Sequence, residues 1–313
     1  MLLFARAFQG IGSSCTSIAG KSALSSRYIN LVERDNALRI AVGGSLMGLM
    51  CGPPCGALLY QYVGKSSPFF ILCGLTLVNG VIQLLIKPLK KDKSKTIING
   101  PSILTLIQDP YILLVALGLF LIRVEYALLE TCLPVWMIDT MKPTQSALGT
   151  VFVPTTVGLL SVFLILGKFC LKMGRWLMTM LGMLIVTISL VTITFTKSVI
   201  HLFIPNCAVG LALGMSNAAL TPELTYIVDI RYTSVYGNAF AITDFFQECG
   251  LAIGPICSGY LLRYAGFYWV MYCGGILSLI YSLMAYLLKN PPTKNTKSQL
   301  FEEKTTNELL ISS

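Results

Sequence analysis

The chain has 313 residues, of which 55% are hydrophobic and only 12% charged, about half the roughly 25% of an ordinary soluble domain. With 23 Lys and Arg against 14 Asp and Glu, the formal charge is +9. These figures exclude a secreted disulfide scaffold, a disordered tail and a typical cytosolic enzyme. They point instead to the bilayer, whose core takes about 20 apolar residues per helical span.

Nine hydrophobic segments follow in chain order, at 2–30, 37–63, 68–87, 110–138, 147–171, 177–196, 199–228, 235–262 and 267–288. They are far longer than the roughly 10 residues of a barrel strand and show no strand-like alternation. Each is predicted helical, the conformation that satisfies backbone polar groups within the segment. Sixteen of the 23 basic residues fall on one set of alternate connections; Lys65, Lys142, Lys197 and Arg263 fall on the other, and Arg6, Lys21 and Arg123 lie inside spans. By the positive-inside rule the C-terminal tail is expected in the cytoplasm and, with nine spans, Met1 on the opposite face. The run Met1–Arg6 carries no signal-peptide pattern, and the chain is expected to begin within a larger protein.

The ten cysteines lie in or beside hydrophobic runs, without CxxC or Cys/His clustering. They read as small packing residues, and no metal site is expected. His201, the one histidine, is expected at a membrane interface.

Internal symmetry is the richest signal. GPPCGALLYQYVGKSSPFFILCG (52–74) and GPICSGYLLRYAGFYWVMYCGG (254–275) share Gly-Pro, a nearby Gly, a Leu-Leu-x-x-Tyr segment and a Gly followed by aromatics, at a separation of 202 residues. Repeated halves are a mark of secondary transporters. Gly44, Gly48, Gly52 and Gly56 recur at four-residue spacing, which lines one helix face and permits close backbone approach, and Pro53 bends that helix. This segment resembles the antiporter signature of the fifth helix of the major facilitator superfamily, and the turn Lys172-Met-Gly-Arg175 resembles that superfamily's short basic loop between its eighth and ninth helices. The expectation is an all-α membrane protein holding helices four to twelve of twelve. Residues 1–87 would end the first half, 88–109 would be a basic linker, 110–288 the second half and 289–313 a cytoplasmic tail.

Ionisable residues inside spans are costly and are functional candidates by default. Glu130 lies within Ala127-Leu-Leu-Glu-Thr-Cys-Leu-Pro134, where a buried carboxylate can pair with an amine or carry a proton. Asp244 lies within Ala241-Ile-Thr-Asp-Phe-Phe, and an apolar site raises the pKa of such a group. Glu248, one turn on, shares its face and would split the titration. Arg123 and Glu130, seven apart, fall on one face about 10 Å from each other. Asp229, Arg231, Glu33 and Arg34 sit at corresponding helix ends of the two halves, either as gate ion pairs or as solvated charges.

Several strings resemble the vesicular amine transporter family: FARAFQGIGSSCTSIAG (4–20), GPPCGALLYQYVGKSSPF (52–69), LPVWMIDTM (133–141), KMGRWL (172–177) and VDIRYTSVYGNAFAITD (228–244). The resemblance covers about residues 1–292. It implies a proton-coupled antiporter that exchanges lumenal protons for cytoplasmic cationic amines across synaptic or secretory vesicle membranes, driven by the gradient without a cofactor. It implies amine binding at Glu130 before Pro134-Val-Trp136, proton coupling at Asp244, and pairing or gating at Arg6.

Five positions depart from that pattern. Asn217 stands where the family has an intramembrane aspartate, Arg123 and Glu125 where it has uncharged residues, and Gln247 and Leu251 where monoamine carriers have aromatics. The resemblance also implies that the lysine partnering Asp244 belongs to helices outside this chain, so Asp244 is expected to stand unpaired and the chain alone to be inactive. Partners are expected to be a small cationic amine, protons and lipid, with no nucleic acid. A drug:proton antiporter of the same fold and a non-transporting truncated form remain as alternative readings.

Overall fold

The computed structural model describes residues 2–28, 30–64, 66–85, 102–143, 145–162, 173–232 and 236–292. Every regular element among them is helical. The expected linker 88–109 falls mostly outside these residues, as do the end of the fifth predicted span and the tail beyond 292.

The helices are α1 (Leu2–Arg27), α2 (Leu31–Tyr62), α3 (Ser67–Leu85), α4 (Ile103–Ile107), α5 (Pro110–Met141), α6 (Gln145–Thr150), α7 (Val153–Ser161), α8 (Arg175–Ile193), α9 (Phe203–Arg231), α10 (Tyr236–Ala265) and α11 (Phe267–Met284). Short 3-10 turns at Ile200–Leu202 and Ala285–Lys289 extend α9 and α11.

Local chemistry explains their limits. Asp109 caps α5 by accepting from the Tyr111 amide at 3.0 Å, and Pro110 follows at the first helical position, where its missing N–H costs nothing. Gly174 and Gly266, with φ of 85° and 83°, make the sharp entries into α8 and α11 that a side chain would strain.

Five helical stretches among the described residues are long and apolar enough to cross a bilayer on their own: Ser67–Leu85, Pro110–Met141, Arg175–Ile193, Ile200–Arg231 and Phe267–Lys289. The shortest, 19 residues, spans about 28 Å at 1.5 Å per residue, close to the ~30 Å hydrocarbon core. Of the other expected spans, α1, α2 and α10 have 26, 32 and 30 residues. Their Gly, Ser and ionisable residues dilute the apolar run, so length rather than hydropathy marks them.

The chain divides into two compact units: Met1–Gly44 with Gly100–Ser313, and Ser45–Asn99. In the smaller unit, Ser67 at the start of α3 donates to the carbonyl oxygens of Leu59, 3.0 Å, and Gly64, 2.8 Å. No residue of α3 is buried. Its Phe69, Phe70, Leu72 and Leu75 are all exposed, the reverse of a water-soluble surface.

The larger unit is built around α5, α9 and α10. Helix α5 packs along α10, and α9 packs along α7 and α8. Backbones touch where glycine permits it. A Cβ at Gly158 or Gly210 would strike the backbone carbonyl of Cys207 or Thr155, joining α7 to α9. A Cβ at Gly254 would lie 2.8 Å from that of Ala127, joining α10 to α5. The close packing expected at Gly44, Gly48, Gly52 and Gly56 is not found: a Cβ at any of them meets no described atom within 4 Å. In the second copy of the repeat Gly254 therefore packs tightly among the described residues, while Gly52 of the first does not. The side chain of Pro53 lies outside the described residues.

Candidate functional site

Helix α1 presents Ser17 and Lys21, one turn apart, to the face of α10 that carries Phe240, Asp244 and Gln247. Asp244 is only 7% exposed. A carboxylate buried so far loses several kcal/mol of hydration unless partners replace the water, and here they do. Lys21 Nζ pairs with Oδ1, Ser17 Oγ donates to Oδ2 at 2.9 Å, and Gln247 Nε2 donates to Oδ1 at 3.3 Å. The network continues to α5, where the guanidinium of Arg123 donates to Gln247 Oε1 at 3.4 and 3.3 Å.

The expectation that Asp244 stands unpaired is therefore corrected, because Lys21 supplies the counter-ion from within the chain. Sequence reasoning counted Lys21 as an in-span charge without giving it a role. The available signal was Ser17 at i−4, which places a hydroxyl on the same helix face as the ammonium.

The other expected site residues are more dispersed. Glu130 is exposed, not buried as expected, because the packed face of α5 is made by Glu125, Leu128, Leu129, Cys132 and Leu133. Its neighbour is Tyr126, one turn back. Trp136 is 7% exposed and stacks on Phe267 with centroids 4.4 Å apart and planes 8° from parallel, the geometry of a packing pair. Asn217 is buried and donates to the Leu213 carbonyl of its own helix at 3.1 Å. Glu248 is exposed and acts on Arg123, so the two carboxylates of α10 occupy different surroundings. Arg6 lies on α1, but its side chain is outside the described residues. His201 is exposed in the turn before α9.

Glu125 is the charge whose surroundings are least expected. It is 2% exposed, accepts from Ser278 Oγ of α11 through Oε1, and leaves Oε2 without a hydrogen-bond partner. Beside it lies a 120 Å³ cavity bounded by Cys257, Ser258, Cys273 and Gly274.

A second polar cluster gathers where α2 and α8 begin and α9 ends. Arg34 of α2 holds Asp229 of α9 at 2.5 Å and donates to Tyr236 Oη at 2.9 Å, while that phenol donates to Asp229 Oδ1. Asp35 accepts from Arg175 of α8 at 2.7 Å, and Arg175 also lies 3.6 Å from Glu223. Arg231 pairs with Asp109 at 2.7 Å, and Tyr232 donates to the same oxygen at 2.8 Å. Burial first, and then this hydrogen bond, push the Tyr232 phenol up to about 12.

Of the four expected gate residues, Arg34 and Asp229 meet each other. Arg231 instead ties α9 to the start of α5. Glu33 is exposed; the acid of this segment that pairs is Asp35, with Arg175, which sequence reasoning missed. Among the described residues no group of three His, Cys, Asp or Glu is arranged to hold a metal.

The profile described as Major Facilitator Superfamily matches residues 1–247 and 207–311. The chain is 41% identical over 296 residues to the synaptic vesicular amine transporter of Mus musculus, covering 95% of this chain and 57% of that protein. It is 41% identical over 303 residues to the chromaffin granule amine transporter of Rattus norvegicus, covering 97% and 58%. To the vesicular acetylcholine transporter of Tetronarce californica it is 31% identical over 310 residues, covering 97% and 60%. The chain thus spans less than two thirds of the length of these relatives.

Proposed function

The chain belongs to the Major Facilitator Superfamily, a superfamily of transporters and not of enzymes, and on that premise we propose that it is a proton-coupled antiporter carrying small cationic amines into acidic vesicles. The names of its relatives, two amine transporters and an acetylcholine transporter, support the substrate class. The distribution of basic residues supports a multi-pass arrangement in the vesicle membrane with a cytoplasmic C-terminus.

The observation that carries the reading is Asp244, buried between α1 and α10 and held there by Lys21. A proton on Asp244 removes the charge that attracts the ammonium and loosens α1 from α10. Deprotonation restores the attraction. A carboxylate whose protonation makes and breaks a contact between the two halves is what coupling to a proton gradient requires. Glu130, exposed on α5, is positioned to meet the cationic cargo, and Arg123, joined to Asp244 through Gln247, would sense its charge. Arg34–Asp229 and Asp35–Arg175 would close the cytoplasmic end and open as the halves rock. No cofactor enters this scheme, because the gradient is the driving force.

The test is uptake into proteoliposomes with an acidic interior, against a panel of monoamines, choline esters and larger cationic drugs. The expected result is gradient-dependent uptake of a small amine that Asp244→Asn uncouples from the gradient. Uptake that ignores the gradient, or that Asp244→Asn leaves unchanged, contradicts the assignment.

A further inference from the structure

The surroundings of the Lys21 ammonium would suit any primary ammonium. Asp244 offers a carboxylate, Ser17 anchors the other oxygen of that carboxylate, and the Phe240 ring lies 5.9 Å from Nζ, within cation–π range. A lysine side chain is a four-carbon alkylammonium tethered at one end. Its other carboxylate neighbourhoods in the molecule differ in kind. Glu125 meets only a hydroxyl, while Asp35, Asp109 and Asp229 hold guanidinium groups. Asp244 alone among these ion pairs takes an ammonium, and the Lys21 side chain keeps 17% of its surface exposed, so the site has an outlet.

We propose that Asp244 is an ammonium-binding site already filled by the protein's own cation, and that Lys21 competes there with the amine cargo. The proposal rests on the amine reading above for the identity of the competitor, and extends it by giving the carboxylate assigned to the proton a second ligand. Replacing Lys21 by a free amine exchanges one ammonium–carboxylate pair for another, so the contacts nearly balance. The difference is the tether, which sets the local concentration of the Lys21 ammonium at about millimolar or higher. Cargo at lower concentration is excluded while Lys21 is seated and admitted when α1 shifts. Lys21 thus sets the threshold for amine binding.

The experiment is chemical rescue of the purified 313-residue chain in detergent. Lys21→Ala keeps Cβ and leaves room for n-propylammonium; Lys21→Leu keeps the stem as far as Cδ, and methylammonium is its probe. Each alkylammonium is expected to raise the Tm of its variant, to bind about tenfold or more tighter than to the unaltered chain, and to have no such effect once Asp244→Asn is added. Sodium and tetramethylammonium at equal concentration control for ionic strength and for the need of an N–H donor. A Tm rise shared equally by the unaltered chain and both variants, or absent from both variants, overturns the proposal. These readouts are binding and stability, so they stand or fall separately from gradient-driven uptake, whose absence would count against the antiporter reading alone.

Discussion

Arg34 and Asp229 meet at 2.5 Å, and the arginine is the more deeply buried of the two, with 3% of its side chain exposed against 24%. Removing one member of such a pair leaves the other charged and desolvated. Asp229→Ala is expected to cost about 3 kcal/mol of stability. The double variant Arg34→Gln/Asp229→Asn, which leaves no charge behind, should cost clearly less. Thermal unfolding of the single and double variants in detergent checks this, and additive losses would show that the two residues are not coupled.

Glu125 supports the opposite expectation. It spends a buried carboxyl group on a single hydroxyl partner and leaves one oxygen unsatisfied. Glu125→Met, which fills the same space with apolar atoms and reaches toward the neighbouring 120 Å³ cavity, is expected to raise stability by about 1 kcal/mol or more. A lower Tm for this variant would mean that the carboxyl group does structural work beyond its bond to Ser278.

The two kinds of glycine in the molecule separate cleanly under substitution. Gly210→Val drives a side chain into the Thr155 carbonyl and is expected to cost about 3 kcal/mol or more through overpacking. Gly52→Ala meets no described atom within 4 Å and is expected to be neutral or stabilising by up to about 1 kcal/mol, the difference in helix propensity. Comparing the Tm of both variants decides it, and a severe loss at Gly52 would restore the packing role its spacing suggested.

Tyr232 gives an alkaline signature. Its phenol, pushed up to about 12 in the folded chain, would titrate near 10 in the unfolded one. The fold therefore retains a proton that the unfolded chain has lost. Stability is complete below about pH 10 and declines as pH rises through about 12. Unfolding measured across that interval is expected to show a shallower decline in Tyr232→Phe, and identical profiles would contradict the shift.

Much of this architecture is visible in the primary structure, and the exceptions have a common physical origin. Long apolar runs are enough to place helices, as at 110–138 and 267–288; the cost of burying charge is enough to single out Asp244, and matching helix ends single out Arg34 and Asp229. What a run cannot state is its rotation. Glu33, Arg34 and Asp35 are consecutive, 100° apart around α2, and only packing against α8 and α9 decides that the last two face inward. Glu125 and Glu130 likewise differ in phase around α5, and packing buries the first and exposes the second. The Lys21–Asp244 pair was hidden for another reason: its members lie 223 residues apart, and no local pattern joins them.

That separation also imposes an order on biogenesis. The ribosome makes Lys21 first, and at about 5–20 residues per second the 223 residues to Asp244 take on the order of ten to forty seconds. Throughout that interval α1 carries an ammonium whose counter-ion does not yet exist. A lysine without its counter-ion is costly inside a membrane helix, and seating α1 against α10 is what removes that cost. Final seating of the first helix is thus timed by the synthesis of the tenth.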